Sequence, residues 1–129
     1  MADALVLDDA QRVALEAVKA GKNVFITGPA GVGKSLCLDA IRDAMPTISV
    51  TATTGVAAVN VKGVTIHSWA GLGIGKDSVD ALVTKLEKQI KFARYNKKKT
   101  GSDDCAGNRI LRAKTLVIDE ISMLPHALF

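Results

Sequence analysis

The sequence predicts an α/β fold, a parallel sheet flanked by helices. Three observations carry this reading. Short apolar runs at residues 24–27, 48–52 and 115–119 have the length and composition of buried strands. Stretches with helical signals separate them, as crossovers between parallel strands require. The chain has 129 residues, 48% of them hydrophobic and with no internal repeat, which suits one domain with its own core.

The elements follow in order. Residues 8–20 read as a helix, because Asp8 can cap its start and Gly21 tolerates the positive φ that ends it. Val24-Phe25-Ile26-Thr27, bounded by turn residues, reads as a buried parallel strand. A glycine-rich loop follows, then a helix over 33–44 that Pro46 stops. After the strand at 48–52, Thr53-Thr54-Gly55 opens a short helix reaching Asn60. Residues 65–75 are glycine-rich and read as loop. Leu82, Val83, Leu86 and Ile90 recur at helical spacing, which predicts an amphipathic helix over 78–95. Residues 96–108 are polar, include Lys97-Lys98-Lys99, and read as a mobile surface loop. The strand at 115–119 comes last, with a break at Pro125. Three strands are few for a doubly wound sheet, so the sheet is expected to be incomplete at the C-terminus.

Charge is unevenly placed. Net charge is +4, yet residues 85–114 hold ten Lys/Arg against three Asp/Glu. That segment is either a contact for a polyanion or a solvated insertion. No run approaches the eighteen apolar residues of a membrane span, and acidic residues 1–9 resemble neither a signal nor a transit peptide. Cys37 and Cys105 lie far apart, outside any CxxC pair, so neither a disulfide nor a zinc site is expected.

Gly28-Pro29-Ala30-Gly31-Val32-Gly33-Lys34-Ser35 matches the phosphate-binding pattern G-x-x-x-x-G-K-[ST] in full. Its glycines let backbone N–H groups face phosphate oxygens, and the following helix presents its positive end to them. Lys34 would reach the β- and γ-phosphates of ATP, and the Ser35 hydroxyl would ligate Mg²⁺. Leu116-Val117-Ile118-Asp119-Glu120 is an apolar strand ending in two acids. Asp119 there faces the metal, usually through a water, and Glu120 polarises the attacking water; the second carboxylate favours hydrolysis over mere binding. A P-loop NTPase is the class these two motifs define.

Three further features admit two readings each. Thr53 and Thr54 either contact a phosphate of a nucleic-acid backbone or form an ordinary N-cap. His67 and Trp69 either meet a single strand or are a satisfied histidine and a core tryptophan. Gln11 either reads adenine through its amide or closes a capping box with Asp8.

Taken together, these residues resemble the PIF family of superfamily 1B DNA helicases. Gln11 stands where that family has its Q motif, and residues 23–35 look like its motif I. Residues 51–58 with 63–71 are similar to its motif Ia region, and residues 118–123 to its motif II. The resemblance implies a RecA-like sheet, with residues 1–129 a partial helicase domain 1A and residues 76–112 a basic insertion. It implies that Gln11 reads adenine, that Thr53, Thr54 and His67 lie along single-stranded DNA, and that Asp119 and Glu120 serve hydrolysis. It also implies a monomeric motor moving 5′ to 3′ on one strand and parting duplex or fork DNA ahead. Repair, recombination and telomere maintenance, in nucleus or mitochondrion for a eukaryotic source, would be its setting.

The family's later motifs are absent, so this chain is expected to be unstable and inactive alone. A loader or remodeller of the AAA type shares the P-loop pattern, but Gln11 and the His67 segment argue against it. A non-catalytic polyanion-binding module is opposed by the intact Lys34, Ser35, Asp119 and Glu120.

Overall fold

A computed structural model describes residues 7–27, 33–73, 76–125 and 129. The chain divides into two compact units, Met1–Ile48 and Ser49–Phe129.

The first unit is a pair of packed helices, α1 (Asp9–Lys19) and α2 (Lys34–Ala44). A capping box starts α1. The Asp8 carboxylate accepts the Gln11 N–H at 2.8 Å, and Gln11 Oε1 accepts the Asp8 N–H at 2.9 Å. Asp9 in the first turn and Lys19 in the last both suit the helix dipole. From α2, Cys37, Ala40 and Ile41 are buried. Burial pushes the Cys37 thiol above its ordinary range, and the negative charge of Asp8 adds to the shift.

Val24–Thr27 does not form the expected strand. It has no regular secondary structure, pairs with no strand among the described residues, and leaves Phe25 72% exposed. Three apolar residues and a threonine have no ladder of their own, and only a paired neighbour turns such a run into a buried parallel strand.

The second unit holds a three-stranded parallel sheet, β1 (Ser49–Ala52), β2 (Val64–Thr65) and β3 (Leu116–Asp119), in the order β2-β1-β3. Register is explicit: Thr51 pairs with Val64 on one side, and Val50 with Val117 and Ala52 with Asp119 on the other. Thr51 lies wholly buried in the central strand, where its hydroxyl donates to the Val117 carbonyl at 2.7 Å. A buried hydroxyl is tolerated because it is paired. Helix α3 (Gly55–Asn60) joins β1 to β2, and a Cβ at Gly63 would run into the Val50 carbonyl. The neighbouring backbone therefore dictates glycine there.

Between β2 and β3 come α4 (Ile66–Ala70), α5 (Val79–Thr100) and α6 (Ala106–Arg112). Two loop expectations fail here. Residues 65–75 include a strand end and a short helix, because the Thr65 hydroxyl accepts the Ser68 N–H at 3.3 Å and caps α4. Of residues 96–108, only 101–105 form a loop; the rest belong to helices. Helix α5 runs 22 residues, carrying Lys97, Lys98 and Lys99 in its last turn, where cations meet the negative end of the dipole. It stops at Gly101, which has φ +75°. The chain then turns back as α6.

That turn is pinned by Asp103. Its carboxylate accepts two Arg112 donors at 3.0 and 2.7 Å and pairs with Lys97 at 3.4 Å. Asn108 Nδ2 donates to the Asp103 carbonyl at 2.7 Å. The Arg112 hydrogen bonds, chief among these, hold the Asp103 carboxyl well below the usual carboxylate range. Close packing completes the hairpin: a Cβ at Gly107 would meet the Ile90 side chain at 2.7 and 2.8 Å.

Candidate nucleotide and nucleic-acid site

Helix α2 starts where the phosphate pattern ends. Gly28, Pro29, Ala30, Gly31 and Val32 lie outside the described residues. Gly33 is the N-cap of α2 and has φ +84°, a left-handed conformation that glycine adopts without strain. Lys34 and Ser35 occupy the exposed first turn, which carries no acidic side chain. The positive end of an 11-residue helix and a lysine thus share one place, an arrangement suited to an anion.

Gln11 reaches this place from α1. Its Nε2 donates to the Gly33 carbonyl at 3.0 Å, and a Cβ on Gly33 would lie 2.5 Å from that nitrogen. The capping box and a contact with the phosphate loop are therefore both present. A primary amide carries two N–H donors and two acceptor lone pairs. One of each is used here, which leaves one donor and one acceptor.

In the second unit, parallel pairing brings the ends of β1 and β3 together. Thr53 continues the ladder, its N–H donating to the Asp119 carbonyl at 3.2 Å. The Thr53 hydroxyl donates to the Glu120 carbonyl at 2.7 Å. Glu120 has φ 56° and ψ 44°, one of two non-glycine residues at positive φ among the described residues. Such a conformation costs on the order of 1–2 kcal/mol for a residue with a Cβ. It turns the chain sharply from β3 into the 3-10 turn Ile121–Met123 and leaves the Glu120 side chain exposed, with Asp119 half-buried behind it. Two carboxylates therefore stand in sequence at the C-terminal end of a parallel strand, the end where open α/β sheets bind ligands.

Thr54, Thr53 and His67 are placed differently from one another. The Thr54 hydroxyl accepts the Ala57 N–H at 3.2 Å as N-cap of α3. Thr53 faces Glu120 instead. His67 is half-buried on α4, and Trp69 is half-buried rather than fully enclosed. Arg109 is the residue sequence reasoning missed. Its Nε donates to the Trp69 carbonyl at 3.1 Å and its Nη2 to the Ser68 carbonyl at 3.3 Å, so α6 binds the last carbonyls of α4. Its partner lies 40 residues away, and nothing local marks it. The basic segment is thus partly structural, while Lys85, Lys88, Lys91 and Arg94 stay exposed on α5 beside exposed Phe92 and Tyr95.

The parallel sheet with flanking helices, with one strand ending in paired acids, defines a RecA-like α/β domain. Residues 6–129 match the model of the family described as PIF1-like helicase. The chain belongs to the PIF1-like helicase family. It is 43% identical over 120 residues to the ATP-dependent DNA helicase PIF1 of Emericella nidulans, covering 87% of this chain and 14% of that protein. It is 40% identical over 120 residues to the ATP-dependent DNA helicase RRM3 of Saccharomyces cerevisiae, covering 88% of this chain and 15% of that protein. The crystal structure of the Pif1 helicase from Candida albicans superposes with a TM-score of 0.76 at 38% identity, covering 95% of this chain and 26% of that one. This chain therefore spans about one seventh of the length of the first two relatives.

Proposed function

We propose that this chain is the ATP-binding portion of domain 1A in an ATP-dependent DNA helicase that moves 5′ to 3′ on single-stranded DNA. The observation that carries the reading is the joining of β1 to β3. It sets the 53–54 segment, a candidate strand contact, against Asp119 and Glu120, the candidate hydrolytic pair. That adjacency gives strand binding a short route to the hydrolytic carboxylates.

The proposal gives each candidate residue a role. Lys34, on the exposed first turn of α2, neutralises the β- and γ-phosphates. Gly33 and the preceding 28–32 segment supply backbone donors. Gln11 keeps one donor and one acceptor for adenine. Glu120 polarises water for attack on the γ-phosphate. The hydroxyl of Ser35 and the carboxylate of Asp119 are hard oxygen donors, which fits Mg²⁺ arriving with ATP. When bound there, that ion would supply neutralisation of developing phosphate charge. Thr54 and His67 belong to the strand-facing surface, and the partner is single-stranded DNA ahead of a fork. Genome maintenance is the setting that fits this activity.

The test is DNA-dependent ATPase activity of the full-length gene product, with and without Lys34→Ala. Expected are strong stimulation by single-stranded DNA and a loss of at least about a hundredfold in the variant, since one charge-stabilising group contributes on that scale. ATP turnover indifferent to DNA would overturn the helicase reading.

A further inference from the structure

The Thr53 hydroxyl has one hydrogen to donate, and the structure commits it to the Glu120 carbonyl at 2.7 Å. Phosphate oxygens of DNA only accept. Thr53 cannot donate to a backbone phosphate and to Glu120 at once. We propose that Thr53 is a positioning residue for the hydrolytic carboxylate, not a DNA contact: it holds Glu120 in its left-handed turn and transmits strand engagement at residues 53–55 to that turn.

Three features converge on it. Glu120 sits at φ 56°, where a residue with a Cβ stays only if its surroundings hold it. Thr53 contributes to that hold twice, through its N–H to the Asp119 carbonyl and its hydroxyl to the Glu120 carbonyl, which also accepts the Met123 N–H at 3.0 Å. The strand behind it is anchored: Thr51, two residues earlier, is fully buried and bonded to the Val117 carbonyl. A shift of the 53–55 segment is thereby passed to the Glu120 peptide through the Thr53 hydroxyl. The next residue, Thr54, uses its hydroxyl to cap α3, which ties the same segment to a helix.

This inference rests on the proposed motor reading, and its test separates the two. In the full-length gene product, Thr53→Val removes the hydroxyl and keeps the shape, while Thr53→Ser keeps the hydroxyl. Expected for Thr53→Val is a fall of about tenfold in kcat at saturating single-stranded DNA, the worth of one well-formed hydrogen bond. KM for ATP and Kd for the strand should stay within about twofold, and Thr53→Ser should behave as wild type. Weaker strand affinity with kcat restored at saturating DNA would make Thr53 a DNA contact. A raised DNA-free rate would make it a restraint on hydrolysis. Either outcome overturns the proposal, as does an unchanged kcat. Binding of a fluorescent ATP analogue checks that each variant is folded, and Thr53→Ala replaces Thr53→Val if the latter is not. Failure of the wild type itself to respond to DNA, or insensitivity to Lys34→Ala, would instead defeat the motor reading.

Discussion

Gln11 is held from two sides, by Asp8 through the capping box and by the Gly33 carbonyl. Gln11→Ala removes the two side-chain bonds, Oε1 from the Asp8 N–H and Nε2 to the Gly33 carbonyl, but keeps the Asp8 cap on the backbone of residue 11, and should destabilise the protein by about 1 kcal/mol, the net scale of a hydrogen bond. The measurement is thermal unfolding, and a shift within error would show that the Gly33 contact is idle. The capping box is readable from Asp8 and Gln11 three residues apart. The Gly33 contact is not, because 22 residues separate its partners. The same limit hid the bond from Thr53 to Glu120, whose partners lie 67 residues apart. Sequence reasoning could list both residues as site candidates, but only the folded register shows that they touch.

At the scale of elements, the hairpin of α5 and α6 depends on close packing and on one carboxylate. Gly107→Ala pushes a methyl into Ile90, and overpacking of this kind costs on the order of 1–3 kcal/mol. Circular dichroism across a thermal unfolding series would show it as a lowered midpoint. Asp103 adds a pH dependence with a definite sign. Its carboxyl is held below its ordinary value in the folded protein, so the unfolded chain takes up the proton at higher pH. The stabilisation is complete above the unfolded value, about pH 4, and is lost as pH falls through the folded one. Asp103→Asn should flatten that acid limb in a stability-versus-pH series, and an unaltered limb would contradict the assignment.

These elements also show where composition misleads. A run of lysines followed by Gly-Ser-Asp-Asp looks like a solvated loop, yet the lysines end a helix and Asp103 fastens the return. The opposite error occurred at residues 24–27, where an apolar run looks like a strand but is left without a ladder. In both places local composition was clear and tertiary pairing decided. The strands at 49–52 and 116–119, the start of α2 and the acids at 119–120 were legible because their signals are local: β-branched runs, a glycine before Lys34, and carboxylates at a strand end.

On the scale of the whole molecule, each of the two compact units has buried apolar residues, Ile41 in the first and Ile66 and Leu82 in the second among them. The family match extends from residue 6 to residue 129 and so runs through the basic hairpin as well as the motifs. Cys37 is 1% exposed within the first unit and its thiol is biased against ionisation. Cys105, in the second unit, is half-exposed. The chain thus has one built-in chemical clock for each unit. A thiol-specific alkylating reagent should modify Cys105 promptly, and Cys37 only as fast as α1 lifts from α2. In denaturant the two should react alike. A Cys37 that labels as quickly as Cys105 in native buffer would mean that the first helical pair opens freely, and any ligand that closes it would announce itself by slowing that one thiol.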